Sequence, residues 1–561
     1  MKKIAVLLIF FPVFAWTNAH SQSSRYIVIL KNKDNNPYSL NNPSGYLSGK
    51  AIARRARQQI AIDSSDLPVT PAYLDSIRHA GAVSILNISK WLNQVLIQTT
   101  DPQALQNINQ FSFVQSVSGI APRIAAGTKE PADKFSVKIT PVKKMHSVQG
   151  INDYYNYGSM YAQVNIHEGA FLHNKGFRGE GITIAILDAG FYHYDTNPAF
   201  DSVRLNNQVL GTWDFVGNKS SVTEEHSHGM ICFSTIAANR PGLLVGTAPK
   251  ANFYLFRTED VANEYPVEEQ NWVAAAERAD SLGVDLITSS LGYNTFSNPA
   301  LDHTYADMNG NSTIITRGAE WAAKKGILVT NSAGNSGGDS WHYILAPADG
   351  EHVLAIGAVN SSGAVAGFSS YGPSSDGRIK PNVASVGWGT IVAGTNGNPS
   401  SANGTSVANP NLAGLIACLW QAFPEFTSQA IFDAVQRSAD QYNNPDNRVG
   451  YGIPNMRIAY GILEKKRELQ NAERILNNDW LKAYPVPFTN ALTVLLNPKA
   501  DGRATLSLYD AAGRKLLEKT TNLQTGEIQF LSLNSLTRLP HGVYWLHYFD
   551  GTNKRVVRVM K

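Results

Sequence analysis

Four short stretches of this chain hold side chains that could cooperate in acyl transfer. An apolar run, Gly181-Ile182-Thr183-Ile184-Ala185-Ile186-Leu187, ends in Asp188-Ala189-Gly190. A carboxylate at the carboxyl end of a parallel strand sits where open α/β sheets form their ligand crevices, although an isolated Asp there is more often a loop or cap residue. Asp195 competes with it but falls in a loop containing Tyr, Asn and Pro. Next, Glu225-His226-Ser227-His228-Gly229-Met230 precedes the helix-like Ile231 to Ala238. A histidine at a helix start, followed by Gly, can present its imidazole without crowding, and both His226 and His228 qualify as bases. A His-x-His pair also suits a metal, but neither HExxH nor Cys-x-x-Cys accompanies it, which ranks base above metal.

The third stretch, Asn403-Gly404-Thr405-Ser406-Val407-Ala408-Asn409-Pro410, opens an apolar helix continuing through Leu412, Leu415, Ile416 and Leu419. A serine at a helix start is usually a cap. Here Gly404 leaves room for backbone approach, and the helix amides and dipole favour the negative charge that develops in acyl transfer. In the fourth, Ile327 to Ser332 runs into Ala333-Gly334-Asn335. Asn335 could simply occupy a left-handed turn position; beside a serine nucleophile its amide becomes a candidate oxyanion donor.

These residues need a rigid frame. Buried apolar strands alternate with helices from about Tyr154 to Glu464: Ile182–Leu187, Asn252–Phe256, Val284–Ser289, Ile327–Thr330 and Val353–Val359. Strands of this kind predict a parallel sheet flanked by helices, class α/β. Ahead of it the pattern is strand (Arg25–Leu30), helix (Pro71–Ala80), strands (Val83–Ile88, Gln94–Thr99), helix (Asp101–Gln110) and strand (Phe113–Val117), the split ferredoxin-like order of a small α+β domain. A Lys-, Pro-, Ala- and Thr-rich segment without periodicity separates the two and reads as a linker open to proteolysis. Beyond a charged helical segment at Lys465–Ile475, alternating strands Leu492–Leu496, Ala504–Tyr509 and Val543–Tyr548 predict a small β-sandwich.

The composition agrees with several packed domains. Of 561 residues 43% are apolar and 16% charged, which is globular rather than disordered usage. A net charge of +4 without a long basic run gives no reason to expect nucleic acid as partner. Lys2 and Lys3, the apolar Ile4 to Trp16 and the small Ala19 and Ser21 read as a secretory signal, shorter than the ~20 residues a membrane span needs. Cys232 and Cys418 could pair after export. Both lie in apolar, helix-like stretches, so two buried free thiols are at least as well supported.

In order and spacing the four motifs resemble the subtilisin-like serine proteases, or subtilases. Asp188-Ala189-Gly190 looks like the family's Asp motif, with Ala189 where Thr or Ser is commoner. Ser227-His228-Gly229 matches the His motif and selects His228 over His226, Ile231 replacing a second His. Ala333-Gly334-Asn335 matches the oxyanion motif, and Gly404-Thr405-Ser406 with Ala408 and Pro410 the nucleophile motif, Asn409 and Asn411 standing for the commoner Ser and His. The resemblance implies a triad of Asp188, His228 and Ser406, an oxyanion hole at Asn335, and substrate contacts at Ser290, Leu291, Gly292, Ala333 and Gly334. Leu345-Ala346-Pro347 is a candidate for the floor of the primary specificity pocket. Calcium is common in the family, but no dense Asp-rich loop identifies a site; no metal or cofactor is assigned.

The amino-terminal domain resembles the family's propeptide, an intramolecular chaperone and inhibitor. The carboxyl-terminal segment, with Tyr484-Pro485-Val486-Pro487-Phe488, Leu508 to Arg514 and Leu539 to Tyr544, is similar to the sorting domain of type IX secretion. The expected organisation is signal peptide 1–21, propeptide 22–119, linker with processing site 120–153, peptidase domain 154–464, linker 465–480 and sorting domain 481–561. Expected partners are protein or peptide substrates, the chain's own propeptide and the outer-membrane secretion machinery; a monomer is expected, secreted or on the cell surface after export through the periplasm of a Gram-negative bacterium. An adhesion protein on an inert protease fold would not need all four motifs, and an esterase would carry a Gly-x-Ser-x-Gly elbow.

Overall fold

A computed structural model describes residues 23–122, 135, 137, 139–142, 152–224 and 226–561; the predicted signal segment lies outside the described residues. Strand Ser23–Leu30 (β1) is apolar on both faces. Tyr26, Val28 and Leu30 point into a core with Ile77 and Ile108, while Ile27 faces the other way, against Leu96, Ile120, Tyr265 and Val267. The period-2 alternation of a strand thus supplies two buried surfaces, one for its own domain and one for the next. Helices Gly49–Gln58 (α1) and Pro71–Arg78 (α2) follow, then strands Ser84–Ser89 (β2) and Gln94–Gln98 (β3), helix Pro102–Gln110 (α3) and strand Val114–Pro122 (β4). The sheet order is β2-β3-β1-β4 with antiparallel neighbours, the expected ferredoxin-like arrangement plus α1. That helix has little apolar periodicity. Its start is capped by Ser48, which accepts from Ala51 N at 3.2 Å, and it is anchored by Arg54 and Arg55, both buried.

The second sheet carries the candidate site. Its strands are Thr140–Pro141 (β5), Thr183–Asp188 (β6), Val209–Asp214 (β7), Asn252–Arg257 (β8), Leu286–Ser289 (β9), Leu328–Ser332 (β10), Val353–Asn360 (β11), Val383–Ala393 (β12) and Pro399–Asn403 (β13), in the order β5-β13-β12-β11-β10-β9-β6-β8-β7. From β12 to β7 every pairing is parallel, and β13 and β5 are antiparallel additions. Every residue of β6, β9 and β10 is buried, as continuous apolar strands between helix layers must be. Helices His228–Ala237 (α4), Val267–Leu282 (α5), Ile314–Lys324 (α6) and Thr405–Ala422 (α7) flank the sheet. Chain order reverses across β6: β7 and β8 lie on one side, β9 onward on the other. A crevice opens at such a switch point, outside the carboxyl ends of the strands.

Residues 461–561 form a separate unit. Strands Leu481–Tyr484, Leu492–Leu496 and Gln529–Leu533 make one antiparallel sheet, and Gly502–Asp510, Lys515–Leu523, Val543–Phe549 and Lys554–Met560 another. Alternate residues of both, including Leu492, Val494, Leu506, Leu508 and Leu546, share one core, which is the expected β-sandwich. Among the described residues no helix is long and apolar enough to cross a membrane.

Candidate active site

β6 delivers Asp188 to the switch point, where it is fully buried. Its Oδ1 accepts from Ala189 N at 2.7 Å and lies 2.6 Å from Nδ1 of His228, the first residue of α4. Burial by itself would push the imidazole pKa down; the charge and hydrogen bond of Asp188 carry it the other way, well above the ordinary histidine value. Among the described residues His228 Nε2 has no hydrogen-bond partner. With Nδ1–H donated to the carboxylate, Nε2 is left as the lone-pair nitrogen. His226 instead accepts the His228 backbone N–H through Nδ1 at 3.1 Å, tying down an otherwise unpaired amide at the start of α4. Asp195 is exposed.

Ser406 is the second residue of α7. The preceding Gly404 has φ +152°, and a Cβ there would lie 3.0 Å from Ser406 Oγ and 3.7 Å from Asn335 Nδ2. The hydroxyl and the amide therefore border the same space, which only glycine leaves open. Thr405 fixes the amide's orientation: its N–H and its Oγ1–H donate to Asn335 Oδ1 at 2.9 and 3.0 Å, and its Oγ1 accepts from Gly334 N at 3.2 Å. Asn335 is exposed, so its Nδ2 donors are available to a ligand.

Inside α7 the Ser406 carbonyl would normally accept from the residue four positions on, but that residue is Pro410, which has no N–H. Ser290 Oγ donates to this carbonyl at 2.8 Å, and Cys232 Sγ, one turn below His228, at 3.2 Å. Cys232 Sγ also lies 3.8 Å from His228 Nδ1. Cys232 and Cys418 are buried free thiols, each pushed up in pKa by burial. Asp188, His228 and Cys232 offer ligand atoms within 4.8 Å of one another, yet the carboxylate and imidazole already satisfy each other. Asn409 Nδ2 donates to Thr288 Oγ1 and Ser289 O, both at 2.9 Å, and Asn411 Nδ2 to Gln163 O and Ser385 Oγ, both at 3.1 Å. The two residues that depart from the resembled motif thus bind α7 to its surroundings.

Ser406 and Asn335 open into a cleft of about 740 Å³ whose walls include Ser290, Leu291, Gly292 and Gly334. Ala333, expected to touch substrate, is fully buried: it is the last residue before the strand end turns outward, and Leu345 N donates to its carbonyl at 3.2 Å. One described residue of the segment expected to be an exposed linker reaches this cleft. Phe135 is 4% exposed, lines the cleft and sets its ring edge-on to His228, centroids 5.4 Å apart. Farther along, Thr140 and Pro141 pair with Ser401 and Ser400 of β13, the strand that leads into Ser406. An apolar ring at Phe135 and a strand edge at Thr140 and Pro141 thus hold three described residues of what the residue composition marked as loop.

The amino-terminal domain is fastened to α5. Glu277 accepts from Ser89 Oγ, Lys90 N and Trp91 N at 2.6, 2.7 and 2.9 Å. Asp280 pairs with Arg54, with Arg55 at 2.9 Å and with Lys90 at 3.2 Å, while Lys325 reaches back to Asp66 at 2.9 Å. Buried carboxylates are tolerable only when paired in this way.

A hydroxyl at a helix start and an oriented amide on one cleft, together with an imidazole backed by a buried carboxylate, are the parts of a serine hydrolase. Residues 179–452 match the subtilase family, residues 25–134 the peptidase S8 propeptide domain of Bacteroidota, and residues 482–561 a secretion system C-terminal sorting domain. The chain is 30% identical over 293 residues to Subtilisin NAT of Bacillus subtilis subsp. natto, covering 51% of this chain and 68% of that one. It is 30% identical over 293 residues to a subtilisin of Bacillus pumilus, covering 51% and 94%. The chain belongs to the subtilase family. It is a secreted or cell-surface serine endopeptidase that hydrolyses peptide bonds through a Ser-His-Asp triad and an acyl-enzyme, made with its own propeptide and a sorting domain.

Proposed function

We propose that Ser406 is the nucleophile, His228 the base, Asp188 the carboxylate that positions it, and Asn335 with the Ser406 backbone amide the oxyanion hole. The observation that carries this reading is the buried 2.6 Å bond from His228 Nδ1 to Asp188, which leaves Nε2 without a partner. His228 Nε2 takes the Ser406 hydroxyl proton as Oγ attacks the peptide carbonyl, and Asp188 stabilises the resulting imidazolium. The developing oxyanion is met by Asn335 Nδ2, already turned outward by Thr405, so no reorganisation is needed as charge develops. The proton then passes from His228 to the leaving amine, and water hydrolyses the ester by the same route in reverse. Substrate lies as an added strand against Ser290, Leu291 and Gly292, with Gly334 facing it across the cleft.

In this reading residues 22–119 are the inhibitory propeptide, the cut falls within 120–153, the peptidase domain spans 154–464, and a linker at 465–480 leads to the sorting domain at 481–561. The sorting domain addresses the protein to an outer-membrane secretion machinery after passage through the periplasm of a Gram-negative cell. The mature enzyme is a monomer and does not bind nucleic acid. Fluorophosphonate labelling of processed protein tests the core of the proposal. Intact enzyme is expected to take up one label at Ser406, and S406A none; an unlabelled, folded, processed enzyme would sink it.

A further inference from the structure

We infer that Leu345 fills the pocket for the side chain preceding the scissile bond and so limits the enzyme to cleavage after small residues: glycine, alanine or serine. The inference rests on the catalytic reading above, which places the attacked carbonyl between Ser406 and Asn335. A strand laid along Ser290 to Gly292 sends alternate side chains to opposite faces, and the side chain nearest that carbonyl enters the slot between the ends of β9 and β10. Each wall of the slot contributes a glycine. A Cβ on Gly292 would lie 2.7 Å from Leu345 Cβ and 2.8 Å from its Cδ1; a Cβ on Gly334 would lie 2.8 Å from Leu345 Cγ and 3.0 Å from Cδ1. One isobutyl group therefore touches both walls and spans the slot.

Leu345 is not free to withdraw. Its N–H donates to Ala333 O at 3.2 Å, and the next residue, Ala346, exchanges backbone bonds of 3.0 and 3.3 Å with Tyr293. The segment is bolted between the two strand ends, and the side chain, partly exposed and lining the cleft, occupies the volume that a large substrate side chain would need. Two glycine walls would otherwise make a wide slot, so Leu345 sets its depth.

The test uses processed enzyme and peptides that differ only in the residue before the scissile bond, carrying Gly, Ala, Ser, Leu, Phe or Lys. Wild type is expected to favour Ala and Ser over Phe and Lys in kcat/KM by at least about tenfold, and L345A and L345G to raise the Phe-to-Ala ratio by roughly ten- to a hundredfold, the range that burial of one large apolar side chain supplies. Fluorophosphonate labelling at Ser406 verifies that each variant is folded. Labelled wild type that cleaves after Phe or Lys as fast as after Ala, or labelled variants with an unchanged ratio, would overturn the role of Leu345 alone. Absence of labelling in wild type would overturn the catalytic reading with it.

Discussion

Thr405 offers the sharpest examination of how the oxyanion site is held. T405V keeps the shape of a fully buried side chain and removes one of the two donors to Asn335 Oδ1, the 3.0 Å hydroxyl bond, leaving the 2.9 Å backbone bond in place. It also leaves Gly334 N without its 3.2 Å acceptor. A neutral hydrogen bond contributes about 0.5–1.5 kcal/mol net. If all of it is lost as orientation of the Asn335 amide, kcat falls about two- to twelvefold. N335A, which removes the donor itself, should cost about 10²–10³, a magnitude established on subtilisin. In the double variant T405V/N335A the valine has no amide to misalign, so the loss should approach that of N335A alone. The assay is kcat and KM on a single peptide, with maturation verified by mass spectrometry. A T405V loss as large as that of N335A, or a double variant showing the full product of the two losses, would refute the claim that Thr405 acts through Asn335.

Two further outcomes follow from the geometry. His228 is raised in pKa against the pull of burial by Asp188, and the base is its neutral form; kcat/KM should therefore rise with pH through a midpoint above 6.5 and be lost below it. In D188N the chief raising influence is gone and burial remains, so the midpoint should move down while turnover falls on the order of 10⁴; a limb that stays in place would contradict the pairing. The mature amino terminus should be Val137: Phe135 sits against His228, Thr140 and Pro141 lie on β13 beyond Ser406, and Ser136 is the small residue in the Phe-Ser-Val-Lys-Ile run between them. A mature terminus found by Edman sequencing outside residues 136–140 would contradict this path across the cleft.

What could be read from the sequence, and what could not, divides along physical lines. Asp188, His228, Ser406 and Asn335 were legible because each stands where a continuous apolar run stops, at a strand end or a helix start. β6, β9 and β10 announce themselves by full burial. β7 and β13 were missed: β7 is half-exposed at the sheet edge and interrupted by Gly211, and β13 reads Pro-Ser-Ser-Ala-Asn, so both are made strands by their neighbours. β12 was missed because Gly387-Trp388-Gly389 breaks its pattern, at the point where its pairing with β13 shifts register. α1 was missed because its stabilising contacts are ionic and reach another domain. Phe135 within a polar segment gave no periodic signal at all, and its burial depends on a cleft assembled from residues far along the chain.

Pro410 shows how several of these features form one device. A proline in the first turns of a helix costs a backbone bond, and in α7 the bond lost is the one to the carbonyl of Ser406. The vacancy is filled from two directions, by Ser290 at the end of β9 and Cys232 on α4. Those same elements carry the substrate-facing edge and, one turn above Cys232, His228. The proline therefore converts an internal helix bond into two tethers that set the turn of Ser406 against the end of β9 at Ser290 and against α4, which begins at His228. The prodomain bonds elsewhere, to Glu277, Asp280 and Lys325 on the flank of the sheet and from Lys50 to Thr183 at the start of β6. The tethers at Ser290 and Cys232 lie within the peptidase domain itself, so removal of the prodomain leaves both in place.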